Sequence, residues 1–356
     1  MNRLVNYVRL HERILSTVTL ALGFIFDAYF FRRIDLPFEN IAIILHFVVG
    51  FIAIILLHLA TARYQTYRVA GWIIASAPLV LQFAIGGLFG KFFIFFFRSG
   101  SIIVSWPVLV LLLVLTFANE SARNRYARLN FSLGVFYTAL LIYCIIAAPV
   151  FLKSISSSSF IIGGIVSLGI IALVIKLINY LSHDIDKREQ RRLFIIIGCV
   201  FGAFNSMYFL NILPPIPLAL KDAGVYHGVV RTAPGVYEGK VEPHSWVPFL
   251  PEVFHKNGAD PVYVFTAVFA PANLATTVVH VWQWKNAEGK WIIEQSIPLN
   301  IVGGRDGGYR GYSFRASAQA GDWRVDVQTP RGQLLGRIDF KVEEVHTSVQ
   351  LKMVNL

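Results

Sequence analysis

The sequence predicts an α-helical polytopic membrane bundle of about seven transmembrane helices, followed by an all-β immunoglobulin-like sandwich. Three observations carry this reading. The chain of 356 residues is 55% hydrophobic and only 15% charged, with a mean hydropathy of +0.58, far too apolar for a single soluble domain. Long apolar runs fill residues 1–213, each long enough to cross a hydrocarbon core of about 30 Å as a helix of roughly 20 residues. After Lys221 the hydrophobic period changes from 3.6 to 2.

The predicted helices span residues 14–31, 41–59, 70–90, 101–118, 130–150, 160–181 and 193–213. Arg3, Arg9 and Arg13 precede the first, but no small-residue cleavage site follows it, so it reads as an uncleaved helix. The third has two readings at its end. Lys91 and the run FFIFFF, Phe92 to Phe97, either lengthen the helix or form an interfacial or re-entrant piece.

Charge sets the expected orientation. With the N-terminus in the cytoplasm, twelve Lys and Arg fall in inside loops and five in outside loops, which is the positive-inside bias. An odd number of spans then sends everything after residue 213 across the membrane, into the periplasm of a bacterium. Residues 1–221 hold 19 Lys+Arg against 8 Asp+Glu, whereas residues 222–356 hold 13 of each. The basic excess thus lies among the apolar segments, where it orients helices and meets lipid headgroups. A nucleic-acid partner would need a basic face on the soluble part, so none is expected.

Pro214, Pro215 and Pro217 end the last helix and open a linker, residues 214–225. The sandwich is expected over 226–345, with a tail at 346–356. In WRVDVQT, Trp323, Val325 and Val327 alternate with Arg324, Asp326 and Gln328. In LLGRIDFKV, Ile338, Phe340 and Val342 alternate with Arg337, Asp339 and Lys341, so the two read as a hairpin turning at Pro330-Arg331-Gly332. VVHVWQW and KWIIEQSIPLNI form a second pair across Asn286 to Gly289. With VYVFTAVF, Tyr309 to Arg315 and a strand near Tyr226 to Arg231, about seven strands result. Cys144 and Cys199 both fall in helices, so the β domain must hold without a disulfide.

The run HVWQW…W…I.L.I.GGR..GYR.YS…..AG.WRV.V.T..GQLLGR..F.V, from His280 to Val342, resembles the bacterial domain of unknown function 2914. NESARNRYARL, Asn119 to Leu129, is similar to the hydrophobic region that accompanies this domain in some proteobacterial proteins. The family carries no assigned activity, so the resemblance implies architecture and leaves function open.

The most unusual local stretch is GGRDGGYRGYSFR, Gly303 to Arg315. No helix or Lys-Ser/Thr pair follows it, which excludes a nucleotide phosphate loop. Arg305, Arg310, Tyr312 and Arg315, with Trp284 nearby, suit recognition of a carboxylate, a phosphate or a sugar ring, because guanidinium forks bind anions and stack on aromatic faces. The same residues also suit a glycine-rich turn entering an edge strand. In such a strand Arg310, Tyr312 and Phe314 share one face and Tyr309, Ser313 and Arg315 the other, so only one of those faces is expected to be core. His227, His244, His255, His280 and His346, separated by 17, 11, 25 and 66 residues, show no ligand spacing, and no metal or cofactor is expected. No nucleophile motif or paired acid cluster points to catalysis.

Ionisable and amide groups in apolar helices are informative because hydrocarbon disfavours them. Asp27 and His46 are expected at one depth near the outer face, where Lys91, Asn205 and Asn211 can join them in a polar pocket. The plainer alternative has Asp27 pairing with Arg32 or Arg33 near the interface and the asparagines bonding between helices, all within reach of headgroups. The resulting expectation is an integral inner-membrane protein, in contact with membrane lipid, whose periplasmic sandwich binds a glycan, an anionic envelope component or a protein partner without catalysis. The alternative is a transporter or lipid-handling protein with a capture or gating domain.

Overall fold

The computed structural model describes residues 37–62, 68–99, 102–121, 128–182, 186–215, 217–243, 252–271, 274–304 and 307–356. The chain divides into two compact units, one of helices and one running from Asn211 to Leu356 with two short inter-helix segments.

Six helices are described in the first unit: α1 (Pro37–Ala62), α2 (Arg68–Ser99), α3 (Ile102–Ser121), α4 (Leu129–Phe151), α5 (Ser157–Ser182) and α6 (Lys187–Phe209). All but α3 are long and apolar enough to cross a membrane, and the apolar part of α3, Ser105–Asn119, is shorter. The expected first span, 14–31, lies outside the described residues. Apolar side chains remain exposed along these helices, among them Ile41, Leu45 and Ile52 on α1 and Ile165 and Leu173 on α5. Water disfavours so long an apolar surface, whereas lipid does not, and helices satisfy their own backbone there.

Helix α1 opens with Pro37, whose missing N–H is one the first turn leaves unpaired anyway, and Glu39 complements the dipole in that turn. Helix α2 runs unbroken through Lys91 to Ser99, so of the two sequence readings the longer helix is the correct one. At the end of α6, Leu210 N–H bonds back to Ser206 O and Asn211 turns left-handed at φ 56°, the αL stop that asparagine tolerates. The most buried span is α4, which packs on α1, α5 and α6. Its contact with α5 is close because Gly163 has no side chain: a Cβ there would stand 2.6 Å from the Cys144 carbonyl oxygen.

The second unit holds eleven described strands in three sheets, where the sequence suggested about seven strands in a two-sheet sandwich. The strands are β1 (Ala219–Tyr226), β2 (Gly228–Ala233), β3 (Val236–Val241), β4 (Glu252–Asn257), β5 (Val262–Phe269), β6 (Ala275–Lys285), β7 (Trp291–Val302), β8 (Tyr309–Arg315), β9 (Gly321–Gln328), β10 (Leu334–Val345) and β11 (Lys352–Asn355). Strand β1 begins inside the stretch read as linker, and β11 lies in the stretch read as tail. The sheets are ordered β1-β5-β8, β4-β10-β9-β6-β7 and β11-β3-β2, with all pairs antiparallel except β4 with β10.

The β1-β5-β8 sheet is the middle layer. Val262 and Val264 on one face of β5 pack with Trp282, Trp323, Val325, Phe340 and Val342 of the five-stranded sheet. Phe265 and Ala267 on the other face pack with Val229 and Tyr237 of the small sheet. This double burial is why VYVFTAVF is apolar at nearly every position and not alternating. On β8, in the same layer, Ser313 is the buried residue while Phe314 on the other face is 50% exposed, in keeping with the expectation that one face of that strand is core.

Replacing Gly163 by Val is expected to force α5 away from α4 and to destabilise the helical unit by about 1–3 kcal/mol, the usual penalty of overpacking. A lower melting temperature of the detergent-purified variant checks this, with Gly169→Val as control, since a Cβ at Gly169 meets nothing within 4 Å.

Candidate functional site

The stretch Gly303 to Arg315 is a turn feeding β8. Gly308 has φ 84°, and a Cβ on Gly303 would run into the Pro271 carbonyl, so turn geometry accounts for these two glycines. Arg305 lies outside the described residues. Arg310 donates from Nη1 to Gly235 O at 2.8 Å, tying β8 to the β2–β3 turn. Arg315 donates from Nη2 to Glu294 Oε2 at 2.8 Å on β7 and lies over the Trp323 ring, 5.2 Å from its centroid. Both guanidinium groups thus have internal partners.

Trp284 has a similar position. Its Nε1 donates to Ala320 O at 3.4 Å, beside Trp323 Nε1 to Gln319 O at 2.8 Å and Lys256 Nζ to Ala318 O at 2.9 Å. Three consecutive carbonyls of the β8–β9 connection are therefore capped by three different strands.

What the β8 register brings together is an aromatic strip. Tyr312 and Phe314 project from the face that meets the small sheet; Tyr263 of β5 stacks on Phe314 at 5.3 Å and tilts against Tyr312 at 5.9 Å. Tyr237 of β3 meets Tyr312 edge-on at 6.2 Å. Tyr263 and Tyr312 are half-buried and Phe314 is 50% exposed. Their edge-on and offset geometry is that of favourable aromatic pairs, and Phe314 leaves half of its surface to solvent.

The opposite face of β8 is sealed by a polar network in the core. Ser313 Oγ meets His280 Nδ1 at 2.8 Å and accepts from Trp282 Nε1 at 3.0 Å, while His280 Nε2 meets Thr266 Oγ1 at 3.0 Å. Burial pushes the His280 imidazole down to about 4, so it stays neutral in the folded domain.

Two further clusters were not anticipated. Glu242, just after β3, bridges His227 Nε2 at 2.8 Å and His255 Nδ1 at 2.6 Å, and it accepts the His255 backbone N–H at 2.8 Å. Burial raises the Glu242 pKa, but the hydrogen bonds from His255 and His227 outweigh it and leave the carboxyl below its ordinary range. Its stabilising effect is thus present above the ordinary carboxylate value and is lost only in stronger acid. No local spacing signals this cluster, since its members are 15 and 13 residues apart. Among the described residues no group of three or more His, Cys, Asp or Glu is arranged to hold a metal ion.

On the wet face of the five-stranded sheet, Arg337 grips Asp326 through Nε and Nη2, Gln283 donates to Asp326, and Arg324 donates twice to the Gln283 carbonyl oxygen. Arg324 stacks over Trp291 at 4.3 Å. The alternating pattern had marked Arg324, Asp326 and Arg337 as the wet face, and their cross-strand register joins them.

In the helical unit, His46 and Lys91 are brought together, with Lys91 Nζ 3.5 Å from His46 Nε2. Asp27 lies outside the described residues. Asn205 does not join the pair through its side chain, which donates back to Phe201 O on its own helix at 2.8 Å, and Asn211 serves as the stop of α6.

These features define a multi-helix chain with candidate membrane spans, followed by a β-rich unit. Residues 275–342 match the family described as "Protein of unknown function (DUF2914)", which bears out the resemblance over β6 to β10 and covers less than half of the chain. No curated protein matches the chain. Among solved structures it is similar to the Pseudomonas fluorescens alkylpurine DNA glycosylase AlkC bound to DNA containing an abasic site analog. The two are 11% identical over 86% of this chain and 83% of that one, with a TM-score of 0.22, and at that score the likeness carries no argument.

The buried histidine yields a pH prediction. Its folded value, near 4, lies below the ordinary 6.5, so the unfolded chain binds more protons between those limits and stability falls as pH drops through them. Urea unfolding followed by tryptophan fluorescence is expected to show about 2 kcal/mol less stability at pH 5 than at pH 7 from this group. An unchanged midpoint would contradict the buried neutral imidazole.

Proposed function

We propose that this chain is a multi-span envelope protein of the bacterial inner membrane whose β-rich unit is a non-catalytic binding module in the periplasm. On this reading 14–31 and α3 complete seven spans. The facing sheets β1-β5-β8 and β4-β10-β9-β6-β7 form an immunoglobulin-like sandwich to which β11-β3-β2 is added. The distribution of Lys and Arg supports the orientation, and with Lys91 inside the α2 span it becomes twelve inside against four outside.

The observation that carries the binding reading is the strip of Tyr263, Tyr312 and Phe314. It combines partly exposed aromatic rings with phenol hydroxyls that make no hydrogen bond to protein among the described residues. Flat aromatic surface with free hydroxyls suits a sugar ring, which offers both C–H faces and hydroxyl edges, so the ligand class is an envelope glycan. Arg310 and Arg315 position β8 and are not the primary contacts. The alternative, a transporter or lipid-handling protein, is favoured by one observation, the contact of the buried Lys91 with the half-buried His46.

Two experiments test this. The full-length protein in detergent is expected to sediment saturably with purified peptidoglycan or with lipopolysaccharide, and the Tyr312→Ala/Phe314→Ala variant to lose at least tenfold in affinity. Equal binding by parent and variant, or binding by neither, would remove the strip as a glycan site. For topology, a reporter active only in the periplasm is expected to be active when fused after Leu356 and silent when fused in the Ser182 to Arg192 loop, and the reverse pattern would overturn the orientation.

A further inference from the structure

Lys91 is only 5% exposed, inside an apolar helix whose candidate span is Val69–Phe97. It lies six residues, about 9 Å, from the Phe97 end, and His46 lies eight residues, about 12 Å, from the Phe38 end of the α1 span. Because the two side chains touch, these ends lie on the same side. The lysine does not reach out to that side. Side chains on a helix tilt toward its N-terminus, which for Lys91 means deeper into the span, and its Nζ lies 3.5 Å from both Gly87 O and His46 Nε2.

The histidine is set to receive it. His46 Nδ1 is 2.7 Å from Ala42 O, a pure acceptor, so the proton of the neutral ring sits on Nδ1 and the Nε2 lone pair faces the ammonium. Phe83 stacks on the ring at 6.0 Å, and the ring's place exists because position 87 is glycine: a Cβ there would stand 2.9 Å from His46 Nε2. The other ionisable groups described on α1, α2 and α4 are Glu39, buried on α1 seven residues before His46, His58 further along α1, and Tyr137, Cys144 and Tyr143 of α4, the last donating its hydroxyl to Asn40 Oδ1 at 2.9 Å.

We propose that His46 and Lys91 form a proton-exchange pair through which the helical unit passes protons. With Lys91 so enclosed, the fitting ligand is a proton and not a headgroup phosphate. In the exchange a Lys91 Nζ–H bond breaks, its electron pair stays on nitrogen, and the proton bonds to the Nε2 lone pair. Charge moves from ammonium to imidazolium without an oxidant, a reductant or a co-reactant. Glu39, in the first turn of α1 and about 10 Å of helix rise away, is the group that connects the pair with the near face. Membrane-embedded chains of Asp, Glu and His serve as proton relays, and intramembrane ionisable residues as a class mark functional sites. This inference does not rest on glycan binding.

The test is proton flux into liposomes that carry the full-length protein and an enclosed pH-sensitive dye, with potassium and valinomycin clamping the potential. After an external step from about pH 7.5 to about pH 6.5, vesicles with the parent protein are expected to acidify at least fivefold faster than empty ones. Lys91→Arg keeps the charge and the donors but cannot release its proton, and His46→Gln keeps a polar partner that does not titrate. Both are expected to fall to the empty-vesicle rate. A parent rate equal to that of empty vesicles overturns the proposal, as does either variant at the parent rate. If His46→Gln elutes aggregated, Lys91→Arg alone decides.

Discussion

A strand buried on both faces has no polar side to spend on function, and β5 imposes that condition on its neighbours. Val262 and Val264 must find apolar partners in the five-stranded sheet, and Phe265 and Ala267 in the small one. The polar groups that remain in this middle layer must satisfy one another, since an unpaired buried donor or acceptor is destabilising by about 1–3 kcal/mol. Ser313, His280, Thr266 and Trp282 meet that requirement as one network. Only beyond the cover of the small sheet does β8 expose rings, so the aromatic strip exists where the third layer stops.

The helical unit obeys the complementary rule. Lipid permits apolar surface everywhere and disfavours isolated charge, so glycines define the close contacts and the rare ionisable groups define the chemistry. Gly163 admits the Cys144 turn of α4, and Gly87 admits the His46 ring. One missing side chain sets a packing distance; the other makes room for a polar pair.

Much of the fold was legible in the sequence where one physical cause dominated. Strands β5 and β8 fall where apolar density and alternation placed them, and the β9–β10 hairpin turns where Pro330 and Gly332 signal it. The misses have identifiable causes. A lysine at an inward position of β4, Lys256, hides the period of EVFHKN, and its ammonium is satisfied by a carbonyl 62 residues away. At Lys91 the sequence left the end of the third span open, because one charge can end an apolar run, yet a partner on another helix lets α2 continue. Of the candidate site, Tyr312 was legible from strand parity. The His227–Glu242–His255 cluster was not, because three-dimensional convergence leaves no mark in local spacing.

The pairing of β3 with β11 has a consequence for biosynthesis. Lys240 lies opposite Met353, and β4 lies parallel to the much later β10, so two of the three sheets close only with strands made near the end of synthesis. Contacts so distant in sequence form late, because the intervening chain must be ordered first. The middle and small layers would leave Phe265, Tyr226 and Tyr237 uncovered on a nascent chain until Lys352–Asn355 emerges. Until then those rings are transiently exposed apolar surface, the condition that makes incompletely folded chains prone to aggregate.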